Sequence, residues 1–185
     1  MIDPRIRLRN SIINGKLIIV KRLLRRYPEL LENIDSSNGW SSLHYASFHG
    51  QYLICLFLIS LGHDKDEIHV TFKDNTCVHL AILNNYHQTL HLLLQQNPKF
   101  KSKYLNFKNK DFETPLHFAS RVGAVECLDL LLDLGANINA LDINGNTALH
   151  LATRYGNINC IKSLLLYGSD FDMKNVDDWL PVQLA

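Results

Sequence analysis

The chain has 185 residues, of which 46% are hydrophobic and 20% charged, and its formal net charge at pH 7 is +1. This composition is ordinary for a folded domain and argues against an intrinsically disordered segment. The longest apolar runs, such as residues 52–61, are about half the ~20 residues of a membrane-spanning helix, and the N-terminus has no signal-peptide pattern. We therefore expect a cytosolic (cytoplasmic) or nuclear chain.

A four-residue motif recurs along the chain and sets its organisation. The clearest copies, Thr114-Pro115-Leu116-His117 and Thr147-Ala148-Leu149-His150, lie 33 residues apart. Copies at residues 41–44, 76–79 and 180–183 complete a series with spacings of 35, 38, 33 and 33. A period of about 33 residues with this motif is typical of ankyrin repeats. The sequence therefore predicts an all-α ankyrin-repeat solenoid of helix–turn–helix units joined by hairpin fingers.

The predicted repeats follow one another directly along the chain. Five repeats and a partial sixth cover residues 5–35, 36–70, 71–108, 109–141, 142–174 and 175–185. The first copy is degenerate and is placed by phase, since Gly15 lies 35 residues before Gly50. A terminal repeat has only one neighbour, so its outward face must be polar. Here that face is basic, and it is also a candidate anion-binding surface: Arg5, Arg7, Arg9, Lys21, Arg22, Arg25 and Arg26.

Two backbone positions with positive φ are predicted in the regular repeats. Gly50 separates the two helices of the second repeat, and Gly62 ends the second of them. The equivalent residues of the third repeat are Asn85 and Asn97. Because asparagine also adopts positive φ readily, these substitutions support the same phase.

Two insertions, at residues 66–70 and 97–110, account for the longer spacings of 35 and 38. Insertions in solenoids form loops on one edge. The basic stretch at residues 99–110 is therefore predicted to be an accessible loop.

The last residues, 175–185, contain a finger and the first half of a further inner helix. We expect the natural chain to continue beyond them. Without a following repeat, Val182, Leu184 and residues 161–166 are predicted to lack apolar cover.

The cysteines indicate a reducing compartment. Cys55, Cys127 and Cys160 are predicted to share one position on the outer helices of three repeats and to point into the core. Cysteine is often buried as a small hydrophobe, and these three would lie about one repeat or more apart. Disulfides are therefore not expected, which fits the cytosol.

Histidine recurs once per repeat at the fourth position of the motif: His44, His79, His117 and His150. We interpret these residues as hydrogen-bonding between neighbouring loops, because a catalytic centre needs unlike groups that converge on one point. His87 and His91 could share a metal ion on one helical face, but no third ligand is evident and solvent exposure is the preferred interpretation. Phosphate-binding and nucleophile motifs are absent from the sequence. We expect no enzyme activity, metal, cofactor or small-molecule substrate.

Function is then expected on the concave face that this architecture builds from finger tips and exposed turns of the inner helices, which we call the finger face. Its candidate partner-binding residues are those that the repeat does not dictate: Asn38, Trp40, Phe48, His49, Phe72, Lys73, Asn75, Lys110, Asp111, Arg121, Asn144, Asn146, Arg154, Tyr155 and Trp179. Aromatic residues and arginine dominate the energetics of protein–protein interfaces. The alternative for each aromatic residue is packing within its own finger, as Trp40 could do against Tyr45 or Tyr52.

Four stretches depart from the general repeat pattern: residues 18–26, 33–47, 61–65 and 89–96. They closely resemble the ankyrin-repeat accessory subunit of the fungal target-of-rapamycin (TOR) complex two, the second "adheres voraciously" subunit family. The resemblance covers about residues 5–98, and the chain beyond Phe112 is closer to generic ankyrin sequence.

This resemblance implies a non-catalytic adaptor that docks on scaffold subunits of the TOR kinase complex. It also implies a link to pleckstrin-domain effectors at the cytoplasmic side of the plasma membrane, in growth and actin-cytoskeleton signalling. A longer polar C-terminal region is implied as well, but no set of docking residues.

Two other functions stay open from the sequence. One is a free ankyrin regulator of another kinase, or an adaptor that recruits its substrates. The other is binding of anionic lipid by the basic N-terminal residues, since each such residue contributes about 1 kcal/mol near an anionic membrane. Nucleic acid is not expected as a partner, because the segment lacks interleaved aromatic residues for base stacking.

Overall fold

The computed structural model describes residues 3–65, 67–95 and 98–185. Its α-helices in chain order are α1 Pro4–Ile13, α2 Leu17–Arg26, α3 Ser42–Phe48, α4 Tyr52–Ser60, α5 Cys77–Leu83, α6 His87–Gln95, α7 Pro98–Leu105, α8 Pro115–Val122, α9 Val125–Asp133, α10 Ala148–Arg154 and α11 Ile158–Leu166. Two 3-10 helices span Pro28–Glu32 and Pro181–Leu184. None of the helices in the described ranges has both the length and the apolarity required to cross a bilayer.

The helices stack in two rows along the molecule. The inner row packs in the order α1, α3, α5, α8 and α10, and it ends on the 3-10 helix Pro181–Leu184. The outer row packs in the order α2, α4, α6, α9 and α11. Each repeat therefore contacts its neighbours in sequence, which confirms the predicted all-α solenoid.

A continuous apolar core lies between the two rows. Cys55, Cys127 and Cys160 are fully buried in it as free thiols, as predicted. The shared position predicted for them is wrong by one residue, because Cys127 and Cys160 align with Ile54 when counted from the glycine between the helices. Both adjacent positions face the core, since Ile54 and Cys55 are both buried.

The predicted positive-φ residues are confirmed where the structure describes them. The φ angles are +63° at Gly50, +55° at Asn85 and +94° at Gly62. Asn97 lies outside the described residues.

Each finger is a tight turn that contains one residue with positive φ: Gly39, Asp74, Phe112, Gly145 and Asp178. Backbone hydrogen bonds connect successive fingers. The Phe72 N–H donates to the Asn38 carbonyl at 3.2 Å, and the Ile143 N–H donates to the Asp111 carbonyl at 2.9 Å. These bonds set the spacing of the finger tips.

The prediction of a loop at residues 99–110 is wrong for most of its length. Helix α7 occupies Pro98–Leu105 and packs against α6. Proline suits the first turn of a helix, and Tyr104 and Leu105 are buried in the core. In the other insertion, Asp66 lies outside the described residues.

The C-terminal end differs in part from expectation. The predicted half of an inner α-helix is a short 3-10 helix, Pro181–Leu184. Val182 and Leu166 are exposed as predicted, the latter by 86%. Leu164 is fully buried and Ile161 and Leu184 are half-buried, so the prediction of missing cover is wrong for these three residues.

Candidate protein-interaction face

A histidine in each regular repeat ties its inner helix to the next finger. The Thr114 backbone N–H donates to His117 Nδ1 at 3.1 Å, and His117 Nε2 lies 3.0 Å from the Asn146 carbonyl oxygen. The same contact links His44 with Asn75, His79 with Glu113, and His150 with Trp179. The predicted structural role of these four histidines is confirmed.

These contacts define a neutral imidazole in the motif histidines. Since Nδ1 accepts a backbone N–H, Nε2 must carry the proton that it donates to the carbonyl of the next finger. Burial lowers the pKa of His44 to about 4 and that of His79 to about 3. It also lowers the pKa of His117 and of His150. The histidines thus form an uncharged scaffold under the finger face.

Aromatic rings form a row at the N-terminal end of the finger face. The centroid of Trp40 lies 5.0 Å from Tyr45 and 5.1 Å from Phe48, and Phe48 lies 5.2 Å from His49. The alternative considered for Trp40, packing against Tyr45, is therefore present. Trp40, Phe48 and His49 stay partly exposed, so packing does not remove them from the surface.

A polar network holds the first finger against α1. Buried Asp35 accepts a 2.5 Å hydrogen bond from Tyr45, and Arg9 Nη1 lies 2.8 Å from Asp35 Oδ2. Burial would raise the pKa of Asp35, but hydrogen bonds from Tyr45 and Ser37 and the charge of Arg9 lower it. The Asn38 side-chain amide also donates to the Tyr45 hydroxyl at 3.0 Å. Arg9 is thus committed to an ion pair, which does not fit its predicted role in anion binding.

The next fingers present exposed side chains at their tips. Phe72 exposes 57% of its surface, and Lys73 and Lys110 are also exposed. Phe112, which the sequence analysis did not select, is 51% exposed at a φ of +58°. A bulky residue in this region is strained, and such strain often marks a functional position. The only signal in the sequence was that the other fingers have Gly or Asp at this place.

Two adjoining clefts of about 830 and 230 Å³ lie at the C-terminal end of the finger face. Both are lined by Asn144, Asn146 and Arg154, which makes them neighbours. Together they bring seven of the predicted residues to one region: Asp111, Arg121, Asn144, Asn146, Arg154, Tyr155 and Trp179.

The two arginines at these clefts have different environments. Arg121 Nη1 lies 2.7 Å from Glu113 Oε1, and its guanidinium lies 4.6 Å from the Phe118 ring centroid. Burial raises the pKa of Glu113, although the charge of Arg121 opposes this shift. Arg154 is exposed and has no ion pair within the described ranges. Arg154 is therefore the cleft cation that an acidic partner could pair with.

Two predicted residues, Asn75 and Asn146, lie buried inside the fingers. The Asn109 side chain donates to Asn75 Oδ1 at 2.9 Å, and the Asn175 side chain donates to Asn146 Oδ1 at 2.9 Å. Because these amides link one finger to the next, a direct contact between them and a partner does not fit the structure.

A basic surface on α1 and α2, called the basic cap below, has six exposed residues: Arg5, Arg7, Lys21, Arg22, Arg25 and Arg26. Lys21 lies over the Phe57 ring and Arg26 over the Tyr27 ring, at 5.3 and 5.4 Å. In the part of the chain that the structure describes, none of the six is in an ion pair. The basic cap thus has unneutralised charge.

The histidine pair that was considered as a metal site, His87 and His91, lies on the outer row. His87 and His91 line a cleft of about 340 Å³ together with Glu126. His91 Nε2 lies 2.8 Å from the Gln95 amide nitrogen. Both histidines are exposed, as the preferred interpretation predicts.

A buried polar group that the sequence analysis missed lies between the insertion after α4 and helix α7. Asp64 Oδ1 lies 2.5 Å from His69 Nδ1 and 2.9 Å from His63 Nδ1, while Asp64 Oδ2 accepts a 2.7 Å hydrogen bond from Tyr104. Burial would raise the pKa of Asp64, but its contacts with His63 and His69 keep it below the ordinary range. The sequence gives little warning, because these residues lie outside the repeated motif, in the segment after α4 and in helix α7.

Over several repeats, the finger face therefore combines exposed aromatic rings, amides and an arginine that has no ion pair among the described residues. This combination is the chemistry of protein recognition, since aromatic residues and arginine are enriched at interface centres.

The comparisons with known families agree with the solenoid. Residues 78–175 match the family described as ankyrin repeats (3 copies). The chain is 31% identical over 132 residues to the putative ankyrin repeat protein FPV223 of fowlpox virus, covering 69% of this chain and 84% of that protein. It is 26% identical over 147 residues to the probable 26S proteasome regulatory subunit p28 of Saccharomyces cerevisiae, covering 78% and 62%.

One similarity is much stronger. The chain is 57% identical over 145 residues to the target of rapamycin complex 2 subunit AVO2 of Saccharomyces cerevisiae. The alignment covers 78% of this chain and 33% of the yeast protein. The chain thus spans about a third of the length of that relative.

Proposed function

Because the chain belongs to the ankyrin-repeat family, we propose that it is a non-catalytic protein-interaction subunit. We propose further that it is part of a kinase assembly of the TOR complex 2 type. The observation that carries this proposal is the 57% identity to the yeast subunit over 145 residues. Two other ankyrin proteins share 26–31% over alignments of similar length. A shared repeat pattern accounts for sequence identity of about 26–31%. The higher identity of 57% therefore supports a common function with the yeast subunit.

Scaffold subunits of the kinase assembly are the proposed partners, and the finger face is the proposed contact surface. It presents Phe72 and Phe112 on the fingers and Arg154 and Tyr155 at the clefts, all exposed. A partner that covers these residues would bury apolar rings and pair an arginine, which are the main sources of interface free energy. Action at the cytoplasmic side of the plasma membrane, with pleckstrin-domain effectors, is part of the proposal and rests on the family resemblance.

A pull-down from cells with the tagged full-length protein tests this proposal. The finger-face variant is Arg154→Glu/Tyr155→Ala, because both side chains are exposed and neither supports the core. The matched control is Lys162→Glu/Ile158→Ala on α11, which makes the same changes of charge and comparable changes of apolar surface on the outer row. Circular dichroism must show equal helicity for all three proteins.

We expect the wild type and the control to recover the TOR kinase and its scaffold, and the finger-face variant to recover at least about tenfold less. If the finger-face variant and the control variant recover equal amounts of the kinase and its scaffold, the docking surface lies elsewhere. Failure of the wild type to recover the kinase would reject membership of the complex and favour a free ankyrin regulator.

A second function, binding of anionic lipid, is favoured by the unneutralised basic cap. Liposome flotation with and without phosphatidylserine tests it with Arg22→Glu/Arg25→Glu/Arg26→Glu. The charge-matched control is Lys73→Glu/Lys110→Glu/Lys162→Glu, at three exposed lysines on other repeats. Loss of flotation in the first variant alone supports a lipid site at the cap, whereas equal loss in both indicates a non-specific effect of net charge.

A further inference from the structure

The segment after α4, which includes the first insertion, meets helix α7 of the second insertion at one place in the structure. His63, Asp64 and His69 come from the segment after α4, and Tyr104 comes from α7. The Tyr104 hydroxyl donates to Asp64 Oδ2 at 2.7 Å, across 40 residues of sequence. The segment after α4 and helix α7 therefore build a shared polar group beside the junction of the second and third repeats.

This polar group contains a buried side chain that makes no hydrogen bond to the described residues. The His63 side chain has no solvent exposure, and neither ring nitrogen has a hydrogen-bond partner among residues 3–65, 67–95 and 98–185. His63 Nδ1 lies 2.9 Å from Asp64 Oδ1 but without the alignment of a hydrogen bond. A buried imidazole without a hydrogen bond is costly, so its presence points to a ligand that the described residues do not supply.

The three side chains provide a compact set of metal ligands. One ligand atom from each of His63, Asp64 and His69 lies within 4.8 Å of the others. Zn²⁺ takes imidazole nitrogen and carboxylate oxygen at about 2.0–2.2 Å. If Asp64 Oδ1 moved up to about 1 Å farther from the two Nδ1 atoms, an ion with such bonds would fit between the three ligand atoms.

We propose that His63, Asp64 and His69 form a binding site for a divalent transition-metal ion of the Zn²⁺ class. Two imidazoles and one carboxylate suit this class, since Ca²⁺ and Mg²⁺ require mainly oxygen ligands. The ion would give His63 Nδ1 a bond in place of the hydrogen bond that no described residue provides. A water molecule is the fourth ligand, entering beside His69, whose side chain is 27% exposed.

Tyr104 is a positioning residue for this site. Its hydroxyl holds Asp64 Oδ2, so that Oδ1 faces the two imidazoles. Such hydrogen bonds to a ligating carboxylate typically change metal affinity by 10- to 100-fold. The bound ion would thereby fasten the segment after α4 to α7 and stiffen the junction between the second and third repeats.

Calorimetric titration of the chelator-treated 185-residue chain with ZnCl₂ tests the site, and CoCl₂ absorption spectra report its geometry. We expect one equivalent of Zn²⁺ to bind, and d–d bands of Co²⁺ to appear with the same stoichiometry. At a hundredfold excess over the dissociation constant, the ion should raise the Tm by roughly 5–10 °C.

Three variants and one control distinguish loss of metal binding from misfolding. His69→Ala removes the most exposed ligand, and His63→Gln removes the buried one. Tyr104→Phe keeps the ligands and should lower affinity by about 10- to 100-fold at unchanged stoichiometry. The matched control is His91→Ala, an exposed histidine on α6.

Loss of Zn²⁺ binding and of the Tm increase in His69→Ala, with both retained in His91→Ala, supports the site. Absence of stoichiometric binding by the wild type would overturn it and leave a hydrogen-bonded cluster only. Binding that persists in His69→Ala and disappears in His91→Ala would also overturn it, because the ion would then occupy the surface pair on α6.

Discussion

At the scale of single residues, the motif histidines couple the stability of the fold to pH. Burial lowers the pKa of His44 to about 4 and of His79 to about 3, below the value of about 6.5 in an unfolded chain. A histidine with a lowered folded-state pKa stabilises the fold above the unfolded-state pKa. This stabilisation is lost as the pH falls from about 6.5 toward the folded-state value, because only the unfolded state binds the proton.

We therefore predict that the free energy of unfolding decreases as the pH is lowered from 6.5 to 4.5. Each buried motif histidine contributes a slope of up to about 1.4 kcal/mol per pH unit. Urea denaturation at several pH values, with a metal chelator present, measures this slope. His79→Gln should be less stable at pH 7.5 and should show a shallower pH dependence.

The exposed His91 provides the control for this prediction. His91→Gln changes the number of histidines without changing a buried one, so it should keep the slope of the wild type. A slope that decreases equally in both variants would contradict the role assigned to burial.

Phe112 is a second residue whose role can be tested by substitution, because it has a strained backbone and lies on the finger face. Its φ of +58° is unfavourable for a bulky side chain, and the equivalent position in two other fingers is glycine, Gly39 and Gly145. We predict that Phe112→Gly raises the free energy of unfolding by about 0.5–1 kcal/mol, since relief of strain exceeds the entropic cost of glycine. The same substitution should weaken recovery of the kinase assembly. Lower stability together with unchanged recovery would show that Phe112 is a packing residue of its finger.

At the scale of elements, the turn between inner and outer helices allows a matched test of close packing. Gly50 and Gly156 occupy equivalent positions, with φ of +63° and +66°. A Cβ atom at Gly50 would lie 2.6 Å from the Tyr86 ring of the next repeat, whereas a Cβ at Gly156 would meet no atom of the described residues within 4 Å. Backbone strain is therefore similar at the two sites, and the steric conflict is confined to Gly50.

We predict that Gly156→Ala destabilises by about 1 kcal/mol and Gly50→Ala by about 1–3 kcal/mol more. Denaturation of both variants gives the two values. In a double-mutant cycle, adding Tyr86→Ala to Gly50→Ala should recover most of the difference, because it removes the ring that the new methyl group meets. Equal losses at the two glycines, or no coupling with Tyr86, would contradict close packing as the cause.

The elements also show which features a sequence can predict. The motif histidines and the positive φ at Asn85 were predictable, because each follows from a position in the period and from neighbouring repeats that are alike. Helix α7 was not predicted, because an insertion has no copy elsewhere in the chain to be compared with. Its burial depends on Tyr104 and Leu105 meeting a core formed by distant residues.

The candidate site was predictable to a smaller extent for a similar physical reason. The period identifies positions that are free to vary, and this selected exposed residues such as Arg154 and Tyr155. It could not separate them from Asn75 and Asn146, whose amides bond to the next finger. A side chain's partner depends on the geometry between repeats, which the period alone does not contain.

At the scale of the whole molecule, stability is distributed along a row of neighbours. Inner helices α3, α5 and α8 each pack between two inner-row neighbours, and the 3-10 helix Pro181–Leu184 packs on α10. In such an array, stability is approximately a sum of repeat terms and nearest-neighbour terms. Opening the end next to α10 therefore breaks fewer interfaces than opening the centre.

We accordingly predict a gradient of amide hydrogen exchange along this 185-residue chain. Amides of α5, α8 and α9 should be the most protected, and those of the last finger and of Pro181–Leu184 the least, because exchange there needs only local opening. Exchange followed by mass spectrometry at pH 7.5 measures the order. Leu164→Ala, which removes a fully buried side chain from α11, should increase exchange in α10 and α11 and leave α3 nearly unchanged. If α3 were affected as strongly as α11, the solenoid would unfold as one cooperative unit, and the nearest-neighbour description would be wrong for this chain.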